Sequence, residues 1–227
     1  ISLKLEKHWK IPMIYMGQFM FRVSVMLKLV QATLVINSKG GSGKTTISTN
    51  LASYFANRGY KTAIMDYDPQ GSSVHWLQVR PTSCAEIHSA NAAKAKSGSL
   101  RSWQMHIPAD MEKLVIDAPA GSDGILLQEM CRRSNQILIP VAPSAIDVHA
   151  STYFIKDLML IGKVRQSDTR LAVIANRNRR NMPLYEPLER FLNSLRIPFI
   201  TKLTDLDIYI QAAEQGLGIF DFDPEQV

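Results

Sequence analysis

The sequence predicts an α/β fold: a doubly wound, mainly parallel sheet with helices on both faces. Three observations predict it. Five or six short apolar runs rich in β-branched residues alternate with stretches of helical period. A glycine-rich turn joins the first run to the first helix. Two later runs end in aspartate, and carboxylates at the ends of parallel strands fall in the crevice where such sheets bind ligands. The length of 227 residues suits one layered unit with an ample core.

The first strand is the apolar run Thr33 to Ile36. The turn Asn37-Ser-Lys-Gly-Gly-Ser-Gly-Lys44 follows, and Thr45 to Arg58 reads as a helix with Ile47, Leu51, Tyr54 and Phe55 on one face. Strand, glycine turn and helix in this order form a credible phosphate-binding loop. Glycines let backbone N–H groups turn inward around an anion, and the helix N-terminus adds partial positive charge. In that arrangement Gly40, Gly41, Ser42, Gly43, Lys44, Thr45 and Thr46 bind a nucleotide. Lys44 reaches the β- and γ-phosphates and the Thr45 hydroxyl ligates Mg²⁺.

The second strand, Lys61 to Asp66, completes a right-handed βαβ unit and ends in Asp66-Tyr-Asp-Pro-Gln-Gly-Ser72. Residues 74 to 110 are less patterned. A helix begins near Val74, Lys94 to Ser99 reads as a surface loop, and Trp76 and Trp103 suit core and contact roles equally. Lys113 to Asp117 is a third strand closing on an acid before Ala-Pro-Ala-Gly121. This is a Walker B arrangement, in which the carboxylate holds Mg²⁺ opposite the loop threonine. Gln136 to Val141 is the fourth strand. Pro143, Ser144 and Asp147 precede a helix from about Val148 to Lys163, for which Asp147 is the preferred N-terminal cap. Arg170 to Ala175 is the fifth strand and leads into Asn176. A helix from Leu184 to Leu195 turns Leu188, Phe191, Leu192 and Leu195 inward. A short strand, Ile197 to Thr201, and a helix, Asp207 to Gln215, close the pattern.

Composition limits the alternatives. Cys84 and Cys131 lie far apart with no metal-type spacing and read as reduced packing residues. The five histidines form no ligand cluster, and no apolar run is long enough to span a membrane. The net charge of +6 is uneven. Residues 156–202 hold ten basic and four acidic residues, and local patches say more about partners than a global charge. Residues 1–28, with Lys4, Lys7 and Lys10 ahead of a Met-rich apolar stretch, read as an N-terminal extension of uncertain origin. Residues 29–227 read as a single domain.

Lys39-Gly-Gly-Ser-Gly-Lys-Thr-Thr46 departs from the standard phosphate loop: Ser38 stands where a glycine is usual, and a second lysine precedes the glycines. This loop, the Asp66-Tyr-Asp-Pro-Gln-Gly71 segment and Asp117-Ala-Pro-Ala-Gly121 resemble the deviant Walker A ATPases of the ParA/MinD family, over roughly residues 30 to 220. The resemblance implies a P-loop NTPase, a Rossmann-like three-layer fold. It implies that Lys39 crosses to phosphates held by a second subunit, so that ATP brings two copies together, and that Asp68 polarises the attacking water. Asp66 then supports either the Mg²⁺ shell or the loop, and Asn176 contacts the adenine. Pro143, Ser144 and Asp147 resemble a stretch of the smaller ParA-like proteins that serves dimer contact or helix capping.

The cofactors implied are ATP and Mg²⁺, and the activity is slow ATP hydrolysis. The partners implied are a second copy, nonspecific double-stranded DNA and a small adaptor that stimulates hydrolysis. The cargo is a plasmid, a chromosome region or a protein body such as a carboxysome or chemoreceptor cluster. Lys156, Lys163, Arg165, Arg177, Arg179, Arg180, Arg196 and Lys202 are the candidate DNA contacts, on the expectation that they line one face. The setting expected is cytoplasmic and nucleoid-associated. The alternative is a MinD-like membrane-associated regulator of cell division. The acidic, proline-broken end, Phe220 to Val227, lacks the basic amphipathic helix that such an anchor requires.

Overall fold

The computed structural model describes residues 30–92, 106–161, 168–178 and 186–222. The extension 1–28, the loop 94–99, Trp103 and the last residues, 223–227, lie outside the described residues. In chain order the elements are β1 (Gln31–Val35), α1 (Lys44–Asn57), β2 (Thr62–Asp66), α2 (Ser72–Val79), β3 (Ile87–Asn91), β4 (Lys113–Asp117), α3 (Gly124–Arg132), β5 (Gln136–Val141), α4 (Ala145–Ile161), β6 (Arg170–Asn178), α5 (Glu186–Leu195), β7 (Phe199–Thr204) and α6 (Ile208–Glu214), with a 3₁₀ turn at Ile219–Asp221.

The strands form one seven-stranded sheet in the order β3-β2-β4-β1-β5-β6-β7, parallel at every pairing. The central strands are near-continuous apolar runs because helices cover both faces. On one face Leu127 and Met130 of α3, Phe154, Ile155 and Leu158 of α4, and Leu188 and Leu192 of α5 close the larger core. On the other, Ile47, Ala52 and Ala56 of α1 and Trp76 of α2 pack on Val35, Ile64 and Val115.

The structure differs from the sequence expectation in several places. The sheet has seven strands because Ile87–Asn91 adds an edge strand beside β2. With only Ile87 and Ala90 buried, one on each face of the sheet, it carries too few apolar residues to announce itself. Helix α3 is also additional to the sequence reading.

In α1 the expected face does meet the sheet through Ile47, with Leu51 and Phe55 packed partly buried against the same core, but small residues share the contact. Ser48, Ala52 and Ala56, at i, i+4 and i+8, are buried, while Leu51, Tyr54 and Phe55 are half-buried. Small residues let the helix approach the strands closely. Helix α4 begins at Ala145, three residues earlier than expected, and Asp147 is not its cap. Ser144 is: its hydroxyl accepts the Asp147 N–H at 3.0 Å and also hydrogen-bonds the Asp147 carboxylate, which sits in the first turn.

Candidate functional site

The parallel sheet brings the ends of β1, β2, β4, β5 and β6 to one edge, and the expected site residues converge there. Asn37, at the end of β1, is buried. Its amide donates to the Pro140 carbonyl at 2.7 Å and to Ser151 Oγ at 3.1 Å, and its Oδ1 accepts the Lys39 N–H at 3.3 Å. The start of the loop is thus fixed to β5 and α4. Gly41 and Gly43 take φ of 75° and 88°, where only glycine is unstrained. At Gly43 a Cβ would also lie 1.9 Å from Asn176 Nδ2, so glycine is required twice over.

The two lysines of the loop part company. Lys44 is buried, and its Nζ donates to the Lys39 carbonyl at 3.0 Å. Burial pulls its ammonium below the usual lysine range, and the carboxylates of Asp117 and Asp68 oppose the shift. The Lys39 side chain lines a surface concavity of about 410 Å³ with Ala145, Ile146, His149 and Ala150 at the start of α4. Lys44 is therefore inside the loop and Lys39 on its outer rim.

The register of β2 and β4 sets Asp66 directly beside Asp117, both fully buried. Asp66 Oδ1 accepts the Asp68 N–H at 2.8 Å, and Oδ2 accepts the Ser73 and Val74 N–H groups at 3.0 and 3.2 Å. These bonds give Asp66 the loop-anchoring role, closing the 66–71 turn onto the first turn of α2. Asp68 is half-buried on that turn, with Oδ1 accepting the Gln70 N–H at 2.9 Å.

Asp117 is less completely served. Its Oδ1 accepts from Ser48 Oγ at 3.0 Å, and the Thr45 hydroxyl lies near enough to favour the charged carboxylate. Oδ2 is buried with no hydrogen-bond partner. Burial and the neighbouring Asp66 charge push the carboxyl up to about 7, against the Thr45 and Ser48 hydroxyls and the Lys44 charge. A buried carboxylate oxygen without a partner is costly, and a hard cation beside a threonine hydroxyl is what it lacks. The Thr45–Asp117 pair therefore fits Mg²⁺, and the glycine loop fits a polyphosphate. The Asp117 loop is tied to the phosphate loop as well, through the Gly121 N–H on the Ser38 carbonyl at 2.9 Å.

Asn176 closes the other side. Its Nδ2 donates to the Ser42 carbonyl at 2.9 Å, bracing the phosphate loop. It also lines a cleft of about 1190 Å³ that runs from Thr46 past Pro143, Arg177 and Asp205, with room for a nucleoside.

Among the described residues, the candidate DNA contacts do not share one face. Arg177 sits in left-handed backbone at the carboxyl edge of β6, whereas Arg196, also left-handed, precedes β7 at the opposite edge. Lys156 lies over the rings of Tyr153 and Phe191, and Lys202 pairs with Glu189 at 3.3 Å, so these two flank α5. Lys163, Arg165, Arg179 and Arg180 lie outside the described residues.

Sequence reasoning missed Ser48 and Asn37, and preferred Asp147 to its neighbour Ser144 as the cap of α4. Ser48 was legible only through the small-residue spacing Ser48-Ala52-Ala56, which marks the face of α1 that meets the sheet.

The chain is similar to several known proteins in sequence and in fold. The profile of the CobQ/CobB/MinD/ParA nucleotide binding domain matches residues 33–219. The maintenance of carboxysome distribution protein A of Halothiobacillus neapolitanus is 28% identical over 189 residues, 82% of this chain and 85% of that protein. The chromosome-partitioning ATPase Soj of Thermus thermophilus is 45% identical over 51 residues, 22% of this chain and 20% of that protein. Among solved structures, the Cyanothece McdA–ATP complex superposes with a TM-score of 0.65 at 15% identity, over 84% of this chain and 89% of that one. The septum site-determining protein MinD of Pyrococcus horikoshii with Mg-ADP gives 0.63 at 14% identity, over 84% and 87%.

Proposed function

This chain belongs to the CobQ/CobB/MinD/ParA nucleotide-binding family and is an ATPase of its ParA/MinD kind with ATP and Mg²⁺ as cofactors, and we propose that it works as a spatial switch. In this reading ATP makes two copies dimerise, and the dimer holds nonspecific nucleoid DNA. A small adaptor on the cargo then stimulates hydrolysis and releases it. The carboxysome-distribution relative supports a protein body as cargo rather than a plasmid or chromosome region, and gives no support to the membrane-associated alternative. Among the described residues no helix is long and apolar enough to cross a membrane.

Phosphoryl transfer needs positioning and charge neutralisation more than covalent chemistry. The backbone N–H groups of residues 40–45 cradle the phosphates, and Lys44, held inside the loop, faces the β- and γ-oxygens. Thr45 and Asp117 would hold Mg²⁺, which when bound neutralises charge at the β–γ bridge. Asp68 orients water in line, on a turn fixed by Asp66. Asn176 and the cleft beyond it receive the nucleoside. Lys39 serves the neighbouring subunit's phosphates, so turnover is conditional on dimerisation.

The observation that carries the reading is the separation of the two lysines. One is buried in the loop, while the other lies on its outer rim beside the exposed Ile146 and His149, where a second copy has access. Lys39→Ala tests it. The expected result is loss of the ATP-dependent dimer in size-exclusion chromatography, with nucleotide still bound by the monomer. Normal dimers of this variant with ATP would overturn the reading.

A further inference from the structure

Asp117 presents two oxygens to very different surroundings. Oδ1 accepts from Ser48 Oγ at 3.0 Å, while Oδ2 is buried without a partner. Ser48 and Asp117 are both wholly shielded from solvent, so water cannot take over either end of this bond. Ser48 lies three residues after Thr45 on α1, so both hydroxyls fall on the helix face turned to β4.

A carboxylate turns about its terminal torsion across a broad, two-fold energy surface, and a hydrogen bond to one oxygen fixes its plane. With Oδ1 held by a residue outside the phosphate loop, Oδ2 is the oxygen left without a partner. Thr45 then does not have to hold Asp117 alone, and its oxygen stays available as a metal ligand.

We propose that Ser48 is a positioning residue for the metal site: its hydroxyl fixes the Asp117 carboxylate so that Oδ2 is presented to Mg²⁺ beside Thr45. The proposal rests on the nucleotide and Mg²⁺ reading above and adds the residue that orients the site. Partners that orient a metal-binding carboxylate typically matter about 10- to 100-fold in metal affinity.

The test is equilibrium binding of a fluorescent ATP analogue to the full chain, titrated with Mg²⁺ and repeated in excess EDTA. Ser48→Ala should raise the Mg²⁺ concentration at half-maximal binding about ten-fold while leaving affinity in EDTA unchanged. Ser48→Thr, which keeps the hydroxyl, should recover most of the difference. A Ser48→Ala midpoint within about two-fold of the unaltered protein would overturn the proposal. So would an equal loss with and without Mg²⁺, because that outcome marks general damage to the helix rather than a misplaced carboxylate. If the unaltered protein binds the analogue with no dependence on Mg²⁺, the metal reading itself falls, a result distinct from either.

Discussion

Asp68 shows how much one residue can depend on its neighbour's backbone bonds. Its carboxylate is half-buried and near enough to Lys44 to oppose that ammonium's downward shift, yet its own bond to the Gln70 N–H stays within the turn and does not tie that turn to the sheet. That tie is made by Asp66, whose two oxygens take the N–H groups of Asp68, Ser73 and Val74. Asp68→Ala should therefore lower turnover by about 100-fold or more, the usual loss for a group that positions or accepts a proton, and leave ATP binding and dimerisation in place. Phosphate release against nucleotide affinity checks this. Unchanged turnover would remove Asp68 from the reaction.

Among elements, α2 joins the site to the rest of the fold. Its first turn is held by Asp66, and its far end is clasped by the segment 216–221. Arg80 forms a bidentate pair with Asp221 at 2.7 and 2.8 Å, donates to the Gly216 carbonyl at 3.1 Å and lies over the Trp76 ring. Trp76 in turn donates to the Leu217 carbonyl at 3.2 Å. Asp221 also accepts from Ser53, Asn57 and the Gly218 N–H. Burial pushes this carboxyl up, but the Arg80, Asn57, Gly218 and Ser53 hydrogen bonds outweigh it and hold it down at about 2.

A carboxylate lowered on folding stabilises the protein above its unfolded value near 4 and loses that contribution as pH falls towards 2. The span corresponds to about 2 kcal/mol. Arg80→Ala, which strands a buried charge, should cost about 3–5 kcal/mol at neutral pH, with the gap to the unaltered protein narrowing below pH 4. Urea unfolding across pH 3 to 7 measures it. A constant gap would show that the pair contributes nothing through charge.

For the whole molecule, the parallel arrangement decides which residues meet. Every strand delivers its carboxyl end to the same edge, so the glycine loop, the Thr45–Asp117 pair and the turn carrying Asp68 share one surface. Lys39 lies on the outer rim of that surface, where the proposed second copy would meet it. DNA binding belongs at this scale, because no single described cation defines a patch. Lys156, Lys202 and Arg196 gather around α5, but Glu189 offsets Lys202, and Arg177 stands apart at the cleft. Binding driven by phosphate neutralisation should weaken steeply between about 50 and 200 mM salt, and only with ATP present. Fluorescence anisotropy on an arbitrary duplex tests this. A salt-independent signal would argue against a phosphate-backbone mode.

By itself, the sequence determined the class of fold, the phosphate loop and the carboxylates at 66, 68 and 117, because these are written as local patterns: a glycine turn between strand and helix, and an acid at a strand's end. It did not contain β3, whose edge position needs few apolar residues, or the part that Ser48, Ala52 and Ala56 play beside Ile47 in bringing α1 close to the sheet. Only the tertiary structure decided that Asp66 holds backbone amides, that Ser48 reaches Asp117 and that Arg80 meets Asp221. Those partners lie far apart along the chain or on separate elements. Hydrogen bonds between them form only when parallel strands fix the register and a small-sided helix packs close.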